Sequence, residues 1–534
     1  MGPGSRVDDP VLAAPRHRRL HALRRLAGAR QSVDDARPRP GVAEPGGRVR
    51  AEAGVRPVPA ARRPDSADRR RGRLKGSRTV DYLDRLAAFV AATRFDALAA
   101  STVAAAKLVL LDTLGAIVAG SAEPENGELA RLASARSPRG AATLLGHRAK
   151  ADSFWAALTN ATAGVALEVD EGSRLGGGHP AIHVVPAALA VAEERGLDGR
   201  RLLESLVAGY EVGSRIGGAT TARANVHSHG TWGTISTAVT VAKLSGASAE
   251  TIRAVINLAA SMSPANTWTP ALDGATIRNL YPGRSAFQGI LAVDLQGCGF
   301  TGLDDAPSDV YGTILAEGFD PALAVAGLDT LAGPDPGREL YRIEQNYFKL
   351  HACCRFNHFA LDAVMALRRV HRLESDDVAK VEVVTIPFAV RMSEPAPASS
   401  LAARFSIPWA VAAALVLGRT DPGAFDGVAL ADTRIRDLAR RVEIGTDAAM
   451  SPRRADGPTA SVRITLRDGR TLEETTTVVR GDAARPVPRD ELTAKFVALA
   501  APIFGESHAR KVADAVNEAD TLEDVRALTE MLVP

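Results

Sequence analysis

From Val80 onward, apolar residues recur at three- and four-residue intervals. Asp81-Tyr82-Leu83-Asp84-Arg85-Leu86-Ala87 reads this way, as do 102–112, 151–168, 182–194, 199–216, 233–245 and 251–262. That period is what one buried helix face requires. Short Gly- or Pro-bearing turns separate most of these stretches. Nothing in them alternates like a strand, so the pattern predicts a large all-helical domain over 79–347.

The pattern changes after Phe348. Lys380-Val381-Glu382-Val383-Val384-Thr385-Ile386 alternates as a strand does, and so do 441–444, 460–466 and 471–479. Arg467-Asp468-Gly469-Arg470 sits between the last two as a hairpin turn signal. Helical pattern interleaves at 359–372 and 408–417. A smaller α+β lid domain is therefore expected over 348–484. Residues 485–534 return to helical period and are expected to pack back on the first domain. The fold class is mainly α.

Composition sharpens one boundary. The chain of 534 residues is 46% apolar but only 4% aromatic, which favours helices packed through small side chains. Its net charge of +3 conceals an asymmetry. Up to Arg78 there are 20 Lys plus Arg against 8 Asp plus Glu, leaving 45 against 54 for the rest, a net of −9. Residues 1–78 show no hydrophobic period and are crowded with Arg, Pro and Gly. Such a segment buries too little apolar surface to offset its ordering entropy and is expected to be disordered. A start codon placed upstream of the true beginning accounts for it. It has no aromatic interleaving and Lys75 is its only lysine, so nucleic-acid binding is not expected. It also lacks the apolar core of a signal peptide.

Three cysteines, Cys298, Cys353 and Cys354, exclude a disulfide framework and are too few and too scattered for an iron–sulfur cluster. Lys107 and Asp112 interrupt the best membrane-length apolar window. A soluble, cytoplasmic protein without membrane partners is expected.

The candidate chemistry lies in two histidine-bearing loops. Glu168-Val169-Asp170-Glu171 is followed by Gly176 to Gly178 and His179-Pro180; the second loop reads His227-Ser228-His229-Gly230-Thr231-Trp232-Gly233. Six of the eleven histidines stand at 179, 183, 227, 229, 351 and 358. Glycine breaks the helical pattern at both loops, putting the imidazoles beside helix starts, where functional groups concentrate. Imidazole is the side chain that exchanges a proton near neutral pH without special help. His183, His351 and His358 read as structural, and the adjacent cysteines as small core residues. His227 and His229 alone make a poor metal site without a suitably spaced carboxylate.

Taken together, Asn160-Ala161-Thr162-Ala163, the two loops, Leu280-Tyr281-Pro282-Gly283-Arg284, Phe348-Lys349 with Cys353-Cys354-Arg355-Phe356-Asn357-His358, Arg404-Phe405-Ser406-Ile407-Pro408-Trp409 and Arg480-Gly481-Asp482 resemble the MmgE/PrpD family. The resemblance runs from about residue 80 to 534 in the expected order. It implies a helical domain with an α+β lid, a homodimer, and a lyase needing no metal or organic cofactor. The family includes 2-methylcitrate dehydratases, cis-aconitate decarboxylases and iminodisuccinate epimerases. Carried over, His179 and His227 are the pocket histidines, Lys349 the pocket lysine and Arg278 a second cation where a lysine is frequent. Glu168, Asp170, Tyr281, Arg284 and Trp409 fall at substrate-binding positions. Tyr281 replaces a histidine and Trp409 a tyrosine, and an indole N–H cannot act as a titrating acid.

The chemistry has its own logic. Dehydrating, epimerising or decarboxylating a di- or tricarboxylate means moving a proton at carbon beside a carboxylate, for which a positioned base and acid are needed. Arg278 and Lys349 are expected to hold the substrate carboxylates. The expectation is a hydro-lyase, with epimerase or decarboxylase activity as alternatives. A carboxylate-binding protein without turnover remains open and would tolerate loss of both histidines.

Overall fold

The computed structural model describes residues 81–331, 339–450 and 459–534, so the Arg/Pro-rich stretch at 1–78 lies outside the described residues. The protein is mainly α, as the pattern predicts. Polar caps start the helices: Asp81 accepts from Asp84 N–H, Asp152 from Trp155, Asp198 from Arg201 and Ser248 from Thr251. Each satisfies a backbone donor that the first turn leaves open.

Helix Ala100–Ser121 shows how this part packs. It is aliphatic on nearly every face and, among the described residues, alone is long and apolar enough to cross a membrane by length and composition. Most of it is buried inside the protein. Gly115 lets Phe496 of helix Arg489–Phe504 lie against it, so the C-terminal helices return to the first core. That core gathers apolar residues from 83–348 and from 487–532.

A second core is built almost wholly from residues 352–479, with Ala116, Leu167, Val169, Ala271 and Leu499 contributed from outside. Its sheet orders the strands Val442–Thr446, Val378–Thr385, Ala460–Leu466 and Thr471–Thr476. The first pair is parallel and the other two antiparallel. Val381 and Val383 pair with Ile464 and Val462, and all four side chains are buried; helix Arg355–His371 packs on these two strands and helix Ile407–Leu417 on Val442–Thr446. The Ser77–Pro534 portion is one compact unit.

The structure corrects two expectations. The first region is not free of strands: Thr220–Ala222 pairs with Ala316–Phe319, and Ala142–Thr143 with Lys150–Ala151. At two to four residues each, they are too short to show a period in sequence. The helix expected over 151–168 ends at Gly164, and Glu168 adopts φ +54°. A left-handed glutamate is costly unless its surroundings enforce it.

Candidate active site

Four segments outside the α-helices meet between the two cores. One is 165–180, between helices Ser153–Gly164 and Ala181–Arg195. The second is 223–232, just before helix Gly233–Leu244. The third is the turn Thr276–Asn279, and the fourth the crossing segment 346–354. Isolated bridges tie them: Tyr347 pairs with both Gly172 and Asp482, and Val226 with Thr267. Gly172 leaves room for the Tyr347 ring, and Gly230 at φ +85° lets the second loop turn beside Asn266 and Tyr281.

The charged members are buried and pair with one another. Lys349 Nζ donates to Glu168 Oε2 at 2.9 Å and to Asp170 Oδ1 at 3.1 Å. Arg278 Nη2 contacts Glu168 Oε1, its Nη1 donates to the Val165 carbonyl at 3.2 Å, and its plane lies over Phe405. Burial works against the Lys349 charge, but Asp170 and Glu168 more than offset it and hold the ammonium above the usual lysine range. Burial likewise opposes both carboxylates; Arg278 and Lys349 keep Glu168 ionised, and Lys349 and His179 hold Asp170 well below the ordinary range. Two anions and two cations thus compensate each other out of water, which a buried charge requires. The four residues expected here, Lys349 and Arg278 for the substrate carboxylates and Glu168 and Asp170 at substrate-binding positions, are thereby brought together. Their charges are already engaged with each other.

The histidines are differentiated by their partners. His179 Nδ1 donates to the Glu171 carbonyl at 2.6 Å, and Asp170 Oδ2 lies 3.0 Å from the same nitrogen. Both neighbours are acceptors, so Nδ1 carries the proton and Nε2 keeps its lone pair. His227 is the reverse. Its Nδ1 accepts from the His229 N–H at 3.0 Å, which puts the proton on Nε2, a buried donor without a partner. Burial first, then Arg278, His179 and Lys349, hold its pKa far below the usual value. His227 is therefore a neutral donor lying over Trp268 with ring centroids 4.1 Å apart. His183 donates to the His179 carbonyl and accepts from Gly230 N–H; buried and pushed down to about 4, it is a structural brace as expected.

The rings stack in series. His229 lies 4.3 Å from His179 and 5.0 Å from His227 between centroids, so the outer two are at most 9.3 Å apart, both separations laid end to end. One small substrate can bridge that distance.

The remaining expected residues lie farther out. Tyr281 packs edge-on to His227 while its hydroxyl donates to the Thr267 carbonyl. Arg284 reaches Asn266, whose amide in turn donates to the His229 carbonyl at 2.8 Å. Trp409 is not brought to the cluster. Its indole N–H is taken by the Ala424 carbonyl at 3.2 Å and its ring fills the second core. Ser406 opens that helix by capping Trp409 N–H, which turns the side chain inward. Cys353 and Cys354 are buried there too, as expected.

Sequence reasoning missed Glu171 and Tyr347. Glu171 accepts from Ala181 N–H at 2.7 Å and from the Tyr210 hydroxyl at 3.0 Å, and burial pushes its carboxyl up to about 8. Tyr347 stands edge-on to His179. Neither belongs to a recognisable spacing; both depend on segments meeting.

Asp170, His179 and His229 bring ligand-type atoms within 4.8 Å of one another, supplying the carboxylate that His227 and His229 lack in sequence. The Lys349 ammonium on Asp170 and the Arg278 guanidinium on Glu168 and His229 repel a dication at the same place. A cavity of about 920 Å³ borders both histidine loops at Gly177 and Trp232, with Arg174 and Asp482 in its wall; none of the cluster's charged groups or histidines lines it.

Comparison with known proteins gives the chain a family. Residues 84–317 match the MmgE/PrpD N-terminal domain and residues 351–521 the MmgE/PrpD C-terminal domain. The chain belongs to the MmgE/PrpD family. It is 25% identical to a cis-aconitate decarboxylase of Aspergillus terreus (strain NIH 2624 / FGSC A1156) over 455 residues, 80% of this chain and 91% of that protein. It is 24% identical to the cis-aconitate decarboxylase of Mus musculus over 450 residues, covering 80% and 88%. The corresponding Homo sapiens protein is 25% identical over 447 residues, covering 80% and 89%. The border between the two family domains falls at 318–350, just before the chain crosses from the first core to the second.

Proposed function

We propose that this protein is a lyase acting on a small di- or tricarboxylate at the carbon beside a carboxylate. The observation that carries the reading is the opposite tautomers of His179 and His227 within reach of one substrate. His179 Nε2, backed by the Asp170 charge and the Glu171 carbonyl, is the base that takes the carbon-bound proton. The C–H electron pair passes into the adjacent carboxylate as an enediolate. The neutral His227 Nε2–H donates to that developing charge, the role for which a depressed imidazole pKa is suited. Collapse of the enediolate with loss of a β-hydroxyl, which takes the proton back from the His179 imidazolium as it leaves, gives an alkene and water.

The same groups serve decarboxylation when His179 starts as the imidazolium, protonated from solvent: the electron pair of the C–CO₂ bond is delocalised into the conjugated carboxylate, CO₂ leaves, and carbon takes the His179 Nε2 proton. The relatives' names favour that reaction on cis-aconitate. Return of the proton from the other side gives epimerisation. The site uses no cofactor in this scheme, and we place the protein in the cytoplasm as a homodimer whose α+β part closes as a lid.

Incubating the protein with cis-aconitate, 2-methylcitrate, malate and iminodisuccinate tests the reading, with alkene absorbance, CO₂ release and deuterium uptake from heavy water as readouts. Turnover of one of them, abolished in His179→Gln and His227→Gln and unaffected by EDTA, is expected. Binding without turnover, unchanged in both variants, would make it a carboxylate-binding protein instead.

A further inference from the structure

His229 lies at the centre of the imidazole series. It is fully buried, stacked at 21° between planes on His179, and carries a polar atom that nothing in the protein uses. Arg278 Nη2 lies 3.3 Å from its Nε2. Arginine only donates, so Nε2 is the accepting nitrogen and the proton sits on Nδ1. That Nδ1–H has no hydrogen-bond partner in the protein, an unfavourable state for a buried donor. The neighbouring His227 Nε2–H is in the same condition. Two orphaned neutral donors on rings 5.0 Å apart, beside the one imidazole with a free lone pair, are unusual in a folded protein. Accepting from Arg278 accounts for Nε2 alone and leaves the Nδ1–H without a role in packing.

We propose that His229 is a further catalytic residue, whose Nδ1–H joins the His227 Nε2–H in binding the two oxygens of the substrate carboxylate that becomes the enediolate. The inference rests on the proposed proton transfer by His179. It assigns the substrate carboxylate to neutral N–H donors rather than to Lys349 and Arg278, whose charges are matched within the protein. Arg278 then acts as a positioning residue: by holding Nε2 it fixes the His229 tautomer. Preorganised donors aimed at a charge that grows during the reaction favour the transition state over the ground state. No bond to His229 forms or breaks; the proton moves from substrate carbon to His179 Nε2 and the electron pair to the carboxylate.

The test uses His229→Asn and His229→Gln. The shorter amide puts an N–H near the Nδ1 position; the longer one puts its amide near Nε2 and leaves that position bare. With whichever of the four carboxylates the wild-type protein converts, the Asn variant should keep kcat within about tenfold. The Gln variant should lose about 10²–10³-fold, as expected for one lost donor, with KM changed far less. Equal losses in both variants, or a Gln variant as active as the wild type, would overturn the inference and leave the His179–His227 chemistry standing. Should neither variant fold, nitrogen-15 histidine NMR of the wild-type protein decides. An Nδ1-protonated imidazole whose proton resonance moves downfield on adding cis-aconitate supports the assignment; no movement with any of the four carboxylates overturns it. A wild-type protein that converts none of them sinks the proposed function, and this inference with it.

Discussion

Asp170 Oδ2 lies 3.0 Å from His179 Nδ1, yet the ring hydrogen bonds to the Glu171 carbonyl at 2.6 Å. The carbonyl sets the tautomer and the carboxylate supplies charge. Asp170→Asn should therefore leave the ring in place while removing the charge that steadies the imidazolium and faces Lys349. A fall in kcat of about 10²–10³ is expected, the scale of one lost preorganised electrostatic partner. Steady-state kinetics with an unchanged near-ultraviolet circular dichroism spectrum would establish it; undiminished kcat would contradict it.

Lys349 is expected to matter first for folding. Lys349→Met keeps the volume but strands Glu168 and Asp170 without their shared cation. Breaking a buried pair in this way costs about 3–5 kcal/mol. Glu168→Gln in the same chain should restore part of the loss, because one of the two stranded charges is then gone. Denaturant unfolding of the three variants reads this directly. A single Lys349→Met variant as stable as the wild type would contradict the pairing.

Glu171 sets the alkaline behaviour. Its carboxyl is raised from 4.5 to about 8, so the unfolded chain ionises it at lower pH than the folded one does. A raised folded value means the stability it confers is complete below pH 4.5 and is lost as pH rises through about 8. Glu171→Gln, which still accepts from Ala181 N–H, should raise Tm at pH 8 and not at pH 4.5. Thermal melts at the two pH values distinguish this from a uniform effect.

The buried histidines set the acid limb. His183 is held down to about 4, and His227, His229 and His358 well below 6.5, burial being the leading cause in each. In the unfolded chain these imidazoles protonate below about pH 6.5, while in the folded protein they stay neutral. A depressed folded value means stability present above 6.5 and lost as pH falls towards 4. Tm should drop steadily across that window. A flat Tm from pH 7 to 4.5 would show that these rings are solvated.

The sequence by itself determined the local elements. The 3.6-residue period marks the helices because each buries one face, and the alternation at 378–385 and 460–466 marks strands because successive side chains face opposite sides. It also placed His179 and His227 on loops, since glycines interrupt the period there. What it left undecided depends on which groups share a spot without water. Lys349 meets Glu168 and Asp170 across 181 and 179 residues of chain, and no local pattern records that encounter. The motif points to Trp409 as a site residue, whereas its indole bonds to the Ala424 carbonyl and its ring packs in the second core. The tautomers of His179 and His227 follow from neighbours 2.6 and 3.0 Å away within their own loops, once these are folded, and that of His229 from Arg278, 3.3 Å away on another segment. Periodicity reports burial along one segment; charge pairing and proton position are decided by desolvation where segments meet, and only the tertiary structure brings them together.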